Sequence, residues 1–168
     1  MIEFNLVTMA VAAIIPLVMG FLWYGPMLFQ NAWTKEVGFN EDSMKGANMA
    51  LIFGLSYVLS FLMAFILQTV VIHQFGTQSA LFGEPGFAES TGEAFTYFQD
   101  FMTSYGDRFR TFGHGALHGT MVGLFIALPI MGTNAMFERK SFKYVLINVG
   151  YWTITLALMG GILCQTAF

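Results

Sequence analysis

Charge is what this chain has least of. Only 10% of its 168 residues are Asp, Glu, Lys or Arg, where a soluble domain carries about 25%. Seven basic and ten acidic side chains cannot solvate the surface of a water-soluble fold of this size, so lipid is the solvent for much of the chain. That excludes a cytoplasmic enzyme, a secreted disulfide scaffold and a nucleic-acid-binding module. A single cysteine, Cys164, permits no intrachain disulfide and no cysteine-based zinc site. The formal charge of −3 is too small to imply a strongly basic or acidic partner. A serine-nucleophile motif, a phosphate-cradling Gly loop and a carboxylate pair are also lacking, which argues against an enzyme.

What the chain does have is apolar length. Hydrophobic residues make up 56% of it and the mean hydropathy is +0.64. About 20 apolar residues form a helix about 30 Å long, enough to cross a bilayer. Four segments meet that length, at 4–24, 46–72, 112–137 and 143–164. The expected fold class is therefore all-α: one polytopic membrane domain over 1–168, with four transmembrane helices and short amphipathic interfacial helices. The stretch 73–111 is expected to be an extramembrane connection. Met1-Ile-Glu-Phe-Asn has no basic n-region and no small-x-small site follows, so the first span is not read as a cleavable signal peptide.

Lys and Arg predict the orientation. The connections 25–48 and 138–143 share one side and hold Lys35, Lys45, Arg139, Lys140 and Lys143, against Arg108 and Arg110 on the other. The basic side is expected in the cytoplasm, which puts both termini and the 73–111 connection outside. Trp23-Tyr24 suits the headgroup level, Gly25-Pro26 turns the chain, and Met27 to Val37 suits a short surface helix. Asn40-Glu-Asp-Ser has the form of an N-cap with an acidic first turn, so the second helix is expected to start near Glu41. Gln74 to Thr91, rich in Gly, Ser and Thr, is expected to be an irregular loop. Glu93 to Phe109 spaces its aromatics at threes and fours, as an amphipathic helix does.

Within the spans, small residues recur every fourth position. Gly115, Gly119, Gly123 and Ala127 form one such stripe, and Ser56, Ser60 and Ala64 another. In lipid such stripes let backbones approach closely, either between helices of one chain or in a homo-oligomer. Arg110, His114 and His118 follow at i, i+4 and i+8, and would share a face with Asp107 if the helix begins before Arg110. Three readings fit this stripe: packing alone, an anionic headgroup or polar ligand, and a metal. A His-x3-His pair can chelate a metal from one helix turn. Arg110 and the lack of a further intramembrane carboxylate as third ligand weigh against a metal, so no metal or cofactor is expected. Asn148, Tyr151 and Trp152, with Thr155, form a further candidate ligand face, although interhelical hydrogen bonding also suits Asn148. Gln68 and His73 lie near the outer end of the second helix and could reach the water boundary.

Several strings resemble one known family. Gly20-Phe-Leu-Trp-Tyr-Gly-Pro-Met-Leu-Phe with Trp33 is similar to the opening signature of the bacterial membrane proteins grouped as domain-of-unknown-function family 1761. Lys45-Gly-Ala-Asn-Met-Ala, Phe137-Glu-Arg-Lys, Ile147-Asn-Val-Gly-Tyr-Trp and Met159-Gly-Gly-Ile-Leu are similar to its later blocks. The resemblance runs in order over roughly 4–72 and 112–163, and 73–111 is longer than the family's usual connection. It implies an integral membrane protein of about four helices and brings no activity or catalytic residue with it.

From these residues the expected function is that of a non-enzymatic protein of the bacterial inner membrane that binds a lipid or small amphiphile, through Arg110, His114, His118, Asn148, Tyr151 and Trp152. An accessory or structural subunit of a larger membrane complex is the alternative, and a transporter ranks below both. The partners expected are membrane lipids, with a second copy or a complex subunit as further options, and no nucleic acid.

Overall fold

The computed structural model describes residues 1–166, without the side chains of Glu41 and Met44. Among the described residues there are helices and turns and no strand. Four stretches are long and apolar enough to cross a membrane: Leu6–Trp23, Met49–Val71, Phe112–Phe137 and Phe142–Thr166. The chain is an all-helical membrane protein.

The first span is broken. Helices α1 (Leu6–Ala12) and α2 (Ile15–Trp23) meet at Ala13-Ile14, where the Ile14 N–H bonds Val11 three residues back instead of four. Pro16 explains the break, because it lacks an N–H and its ring conflicts with the carbonyl four residues earlier. After the turn comes α3 (Gln30–Val37), whose Glu36 accepts a hydrogen bond from the Ser141 hydroxyl. Ser141 also caps the last span by accepting the Tyr144 N–H at 3.1 Å, so one side chain ties the surface helix to the bundle.

Three expectations about the connections are corrected. The second span does not start near Glu41. Asn40 caps only one 3-10 turn, Glu41–Met44, and Gly46 at φ +80° ends it. Helix α4 (Met49–Val71) then opens on its own cap, Asn48, whose Oδ1 accepts the Leu51 N–H at 3.0 Å. Nor is Gln74 to Thr91 wholly irregular, since Gln74–Leu81 is a helix, α5. Its weak helical preference is overridden by tertiary contacts. Phe75 is buried against Phe4, with ring centroids 5.0 Å apart, and Gln78 hydrogen-bonds both backbone groups of Ile2. Helix α6 (Gly92–Tyr105) is amphipathic as its spacing predicts, but ends at Gly106 rather than Phe109. It inserts Phe98 beside the fully buried Phe87, ring centroids 5.6 Å apart.

The third span comprises α7 (Phe112–Val122), a wide π turn over Gly123–Ala127, and α8 (Leu128–Phe137). Pro129 stands just past the π turn and has no N–H to give it, a common reason for such widening. The last span, α9 (Phe142–Thr166), is the central post: 56% of an apolar 18-residue stretch of it is buried, against 22%, 17% and 11% of the matching stretches in the other three. Thr8 of α1 donates to the Thr166 carbonyl, and Cys164 Sγ lies 3.3 Å from the Val71 and Phe109 carbonyls. Residues 2–8, α5, α6 and the end of α9 thus gather at one end of the bundle, the terminal end.

The glycine stripe of the third span faces α9 inside the chain. A Cβ on Gly115 would run into the Gly160 carbonyl, one on Gly119 into the Leu156 carbonyl, and one on Gly123 would stand 2.6 Å from Thr153 Cα. Backbone meets backbone there. The stripe is consumed by intrachain packing.

Candidate functional site

Three histidines converge at the terminal end. Thr111 caps α7, its hydroxyl accepting the His114 N–H at 3.2 Å, and this fixes the first turn that carries His114 and, one turn on, His118. The third, His73, sits in the elbow between α4 and α5. Its flanks hold its backbone still: Ile72 is fully buried, and Gln74, 3% exposed, donates its amide to the carbonyls of Tyr105, Gly106 and Arg108 at 2.9, 2.9 and 3.0 Å. The Nε2 atoms of His73 and His114 stand 2.9 Å apart. The His118 ring lies 4.9 Å from His73 and 4.5 Å from His114 by centroids. One ring nitrogen from each of the three falls within 4.8 Å of the other two. Phe109, held at φ +64°, stacks its ring on His114 at 5.0 Å.

Sequence spacing found His114 and His118 and left His73 as a boundary residue. The signal that could have joined them was topological. The connection 73–111 brings the end of the second span and the start of the third to the same face, so His73 and His114 share a depth.

Arg110 does not belong to this group. The helix starts at Phe112, so the condition for a shared face with Arg110 and Asp107 fails. Instead, Arg110 Nε donates to the Cys164 carbonyl at 2.8 Å, a cation in the last turns of α9 where the helix end is negative. Burial pushes its guanidinium down from the ordinary value, while Cys164 and Asp107 pull the other way. The exposed cation beside the histidines is Arg108, 5.4 Å above the Phe109 ring.

Asn148, Tyr151 and Trp152 form a separate group nearer the opposite end. Asn148 Oδ1 accepts the Tyr24 hydroxyl at 2.8 Å while its amide donates to the Tyr144 carbonyl of its own helix. The Tyr24 phenol is therefore the donor of that bond. Tyr151 donates to the Pro16 carbonyl at 2.7 Å, and Trp23 to the Ile147 carbonyl at 3.0 Å. These bonds bolt α2 to α9. Sequence reasoning missed Tyr24 because an aromatic at a span end is expected at the headgroup level.

Bolting α2 to α9 beyond the Pro16 break leaves a groove between α2 and α4. Its volume is about 450 Å³, and Leu17, Phe21, Phe53, Leu59 and Met63 supply apolar walls. Tyr151 and Trp152 are part of the lining, with Ser56 and Ser60 as the polar residues along α4. Ser60 spends its hydroxyl on the Ser56 carbonyl at 2.7 Å. The volume lies in the range of small-molecule sites, about 300–1,000 Å³.

A family model described as "Protein of unknown function (DUF1761)" matches residues 7–164, nearly the whole chain. No curated protein and no solved structure matches it.

Proposed function

We propose that this chain, which belongs to the DUF1761 family, is an amphiphile-binding protein of a bacterial inner membrane that acts by binding rather than by catalysis. The groove between α2 and α4 carries the reading. It lies within the membrane-spanning segments, where the surrounding solvent is acyl chain, and its walls are apolar apart from two serines and the already bonded Tyr151. A single hydrocarbon tail suits such a surface. Arg110 is left out of the binding residues because its Nε is engaged at the end of α9. Helical spans favour an inner membrane, since outer-membrane proteins of bacteria are closed β-barrels.

Filling the groove tests it. Ser56 is half-buried on the groove wall, so Ser56→Phe should keep the fold while displacing a tail. Native mass spectrometry after gentle detergent extraction should find a stoichiometric amphiphile on the wild type and at least about ten-fold less on the variant, the loss expected from about 1.4 kcal/mol. Equal retention by both, or none by the wild type, would sink the reading.

Orientation follows from the Lys/Arg imbalance, with both termini outside. Lys143→Cys should resist a membrane-impermeant thiol reagent applied to intact cells, and Glu89→Cys should react. The buried Cys164 keeps the background low. Labelling of Lys143→Cys from outside would reverse the topology.

A further inference from the structure

We propose that His73, His114 and His118 bind one divalent transition-metal ion of the zinc class, which clips the elbow between α4 and α5 to the start of α7. This site is distinct from the α2–α4 groove and does not depend on it.

Geometry comes first. Around tetrahedral zinc, with Zn–N bonds of about 2.0–2.1 Å, ligand nitrogens stand about 3.3 Å apart. The His73 and His114 Nε2 atoms, at 2.9 Å, need to open by a few tenths of an ångström. The widest pair, within 4.8 Å, needs to close by no more than about 1.5 Å, which side-chain rotation supplies. The rings are able to turn, since His73 is exposed and the other two are half-buried. Their backbones are not, because Thr111 fixes the first turn of α7 and Gln74 anchors the elbow. A rigid frame with adjustable ligands favours capture of an ion.

Chemistry points the same way. Each neutral imidazole carries one N–H and one lone pair. The His73–His114 contact uses one lone pair of the three. No Asp or Glu joins the cluster among the described residues, so every ligand atom that it offers is an imidazole nitrogen. A metal ion takes all three lone pairs at once. Three nitrogens suit zinc, copper, nickel or cobalt, and not magnesium or calcium, which take oxygen ligands. His118 lies about 9 Å along the helix axis from Phe112, while His73 is exposed, so water can reach a fourth coordination position from the His73 side. Arg110, which the spacing had set against a cation, is turned to the Cys164 carbonyl instead. The positive Arg108 nearby favours hydroxide or another anion as the fourth ligand.

The test uses the full chain in detergent, purified on a tag without histidine, stripped with a chelator and titrated with zinc alone. Elemental analysis after gel filtration should find one zinc per chain, and zinc should raise the melting temperature, as any ligand of the folded state does. His73→Ala, His114→Ala and His118→Ala should each weaken binding at least about ten-fold. His73→Ala is the decisive variant, because a simple His-x3-His surface pair would not need it. Wild-type affinity in His73→Ala overturns the three-ligand site, and so does a wild type that takes up no zinc. Cobalt substitution of the wild type tests the geometry without any variant: the intense visible absorption of a tetrahedral site supports the proposal, and the weak octahedral spectrum overturns it.

Discussion

Gly119→Leu is expected to destabilise the chain in detergent more than any other single substitution proposed for it. A Cβ at that position would overlap the Leu156 carbonyl and approach Ala157 Cα to 2.8 Å, both backbone atoms of α9. Backbone cannot rotate away as a side chain can, so α7 must lift off the central post. The expected loss is about 3 kcal/mol, the upper end for overpacking, and helices in lipid have little hydrophobic drive with which to offset it. Gly132→Leu is the matched control. It sits on the same span with nothing within 4 Å of its missing Cβ, and should melt with the wild type. Melting followed by fluorescence and gel filtration separates the two. If Gly119→Leu melts alongside Gly132→Leu, the close approach of α7 and α9 is wrong.

Gln74→Leu should give the second largest effect. One buried amide serves the carbonyls of Tyr105, Gly106 and Arg108, which end α6 and begin the segment leading to α7. Leucine fills similar space and donates nothing. The carbonyls are near the surface and regain water, which limits the loss to about 1–3 kcal/mol. The consequence should be local. Trypsin should cut after Arg108, which is exposed, faster in the variant than in the wild type. Unchanged melting together with unchanged cleavage would mean that Gln74 anchors nothing.

The spans were legible because their signal is a bulk property. A run from Met49 to Val71 without a charge has only one stable solution in lipid, a helix that bonds its own backbone. The glycine stripe was legible as a close-packing surface for the same reason. Which helix it met was not, because spacing on α7 says nothing about Gly160 or Leu156 on α9. The connections were harder still. Asn40 gave a correct cap for a turn that Gly46 then stopped, and α5 formed from Gly, Ser and Thr because Phe75 and Gln78 found partners in the first residues of the chain.

The candidate site divides along the same line. His114 and His118 are paired by the pitch of one helix, which sequence carries. Arg110 was placed on that face by counting back through a cap that ends the helix at Thr111, and local capping decided otherwise. His73 is 41 residues from His114, and only the packing of the elbow beside α7 brings their nitrogens to 2.9 Å. By itself, then, the sequence determined the solvent, the number of spans and the residue types able to bind. The tertiary structure alone decided which of them meet. Hydropathy and helical pitch act on neighbours along the chain, whereas a binding site is made by side chains from separate helices whose approach depends on every contact between them.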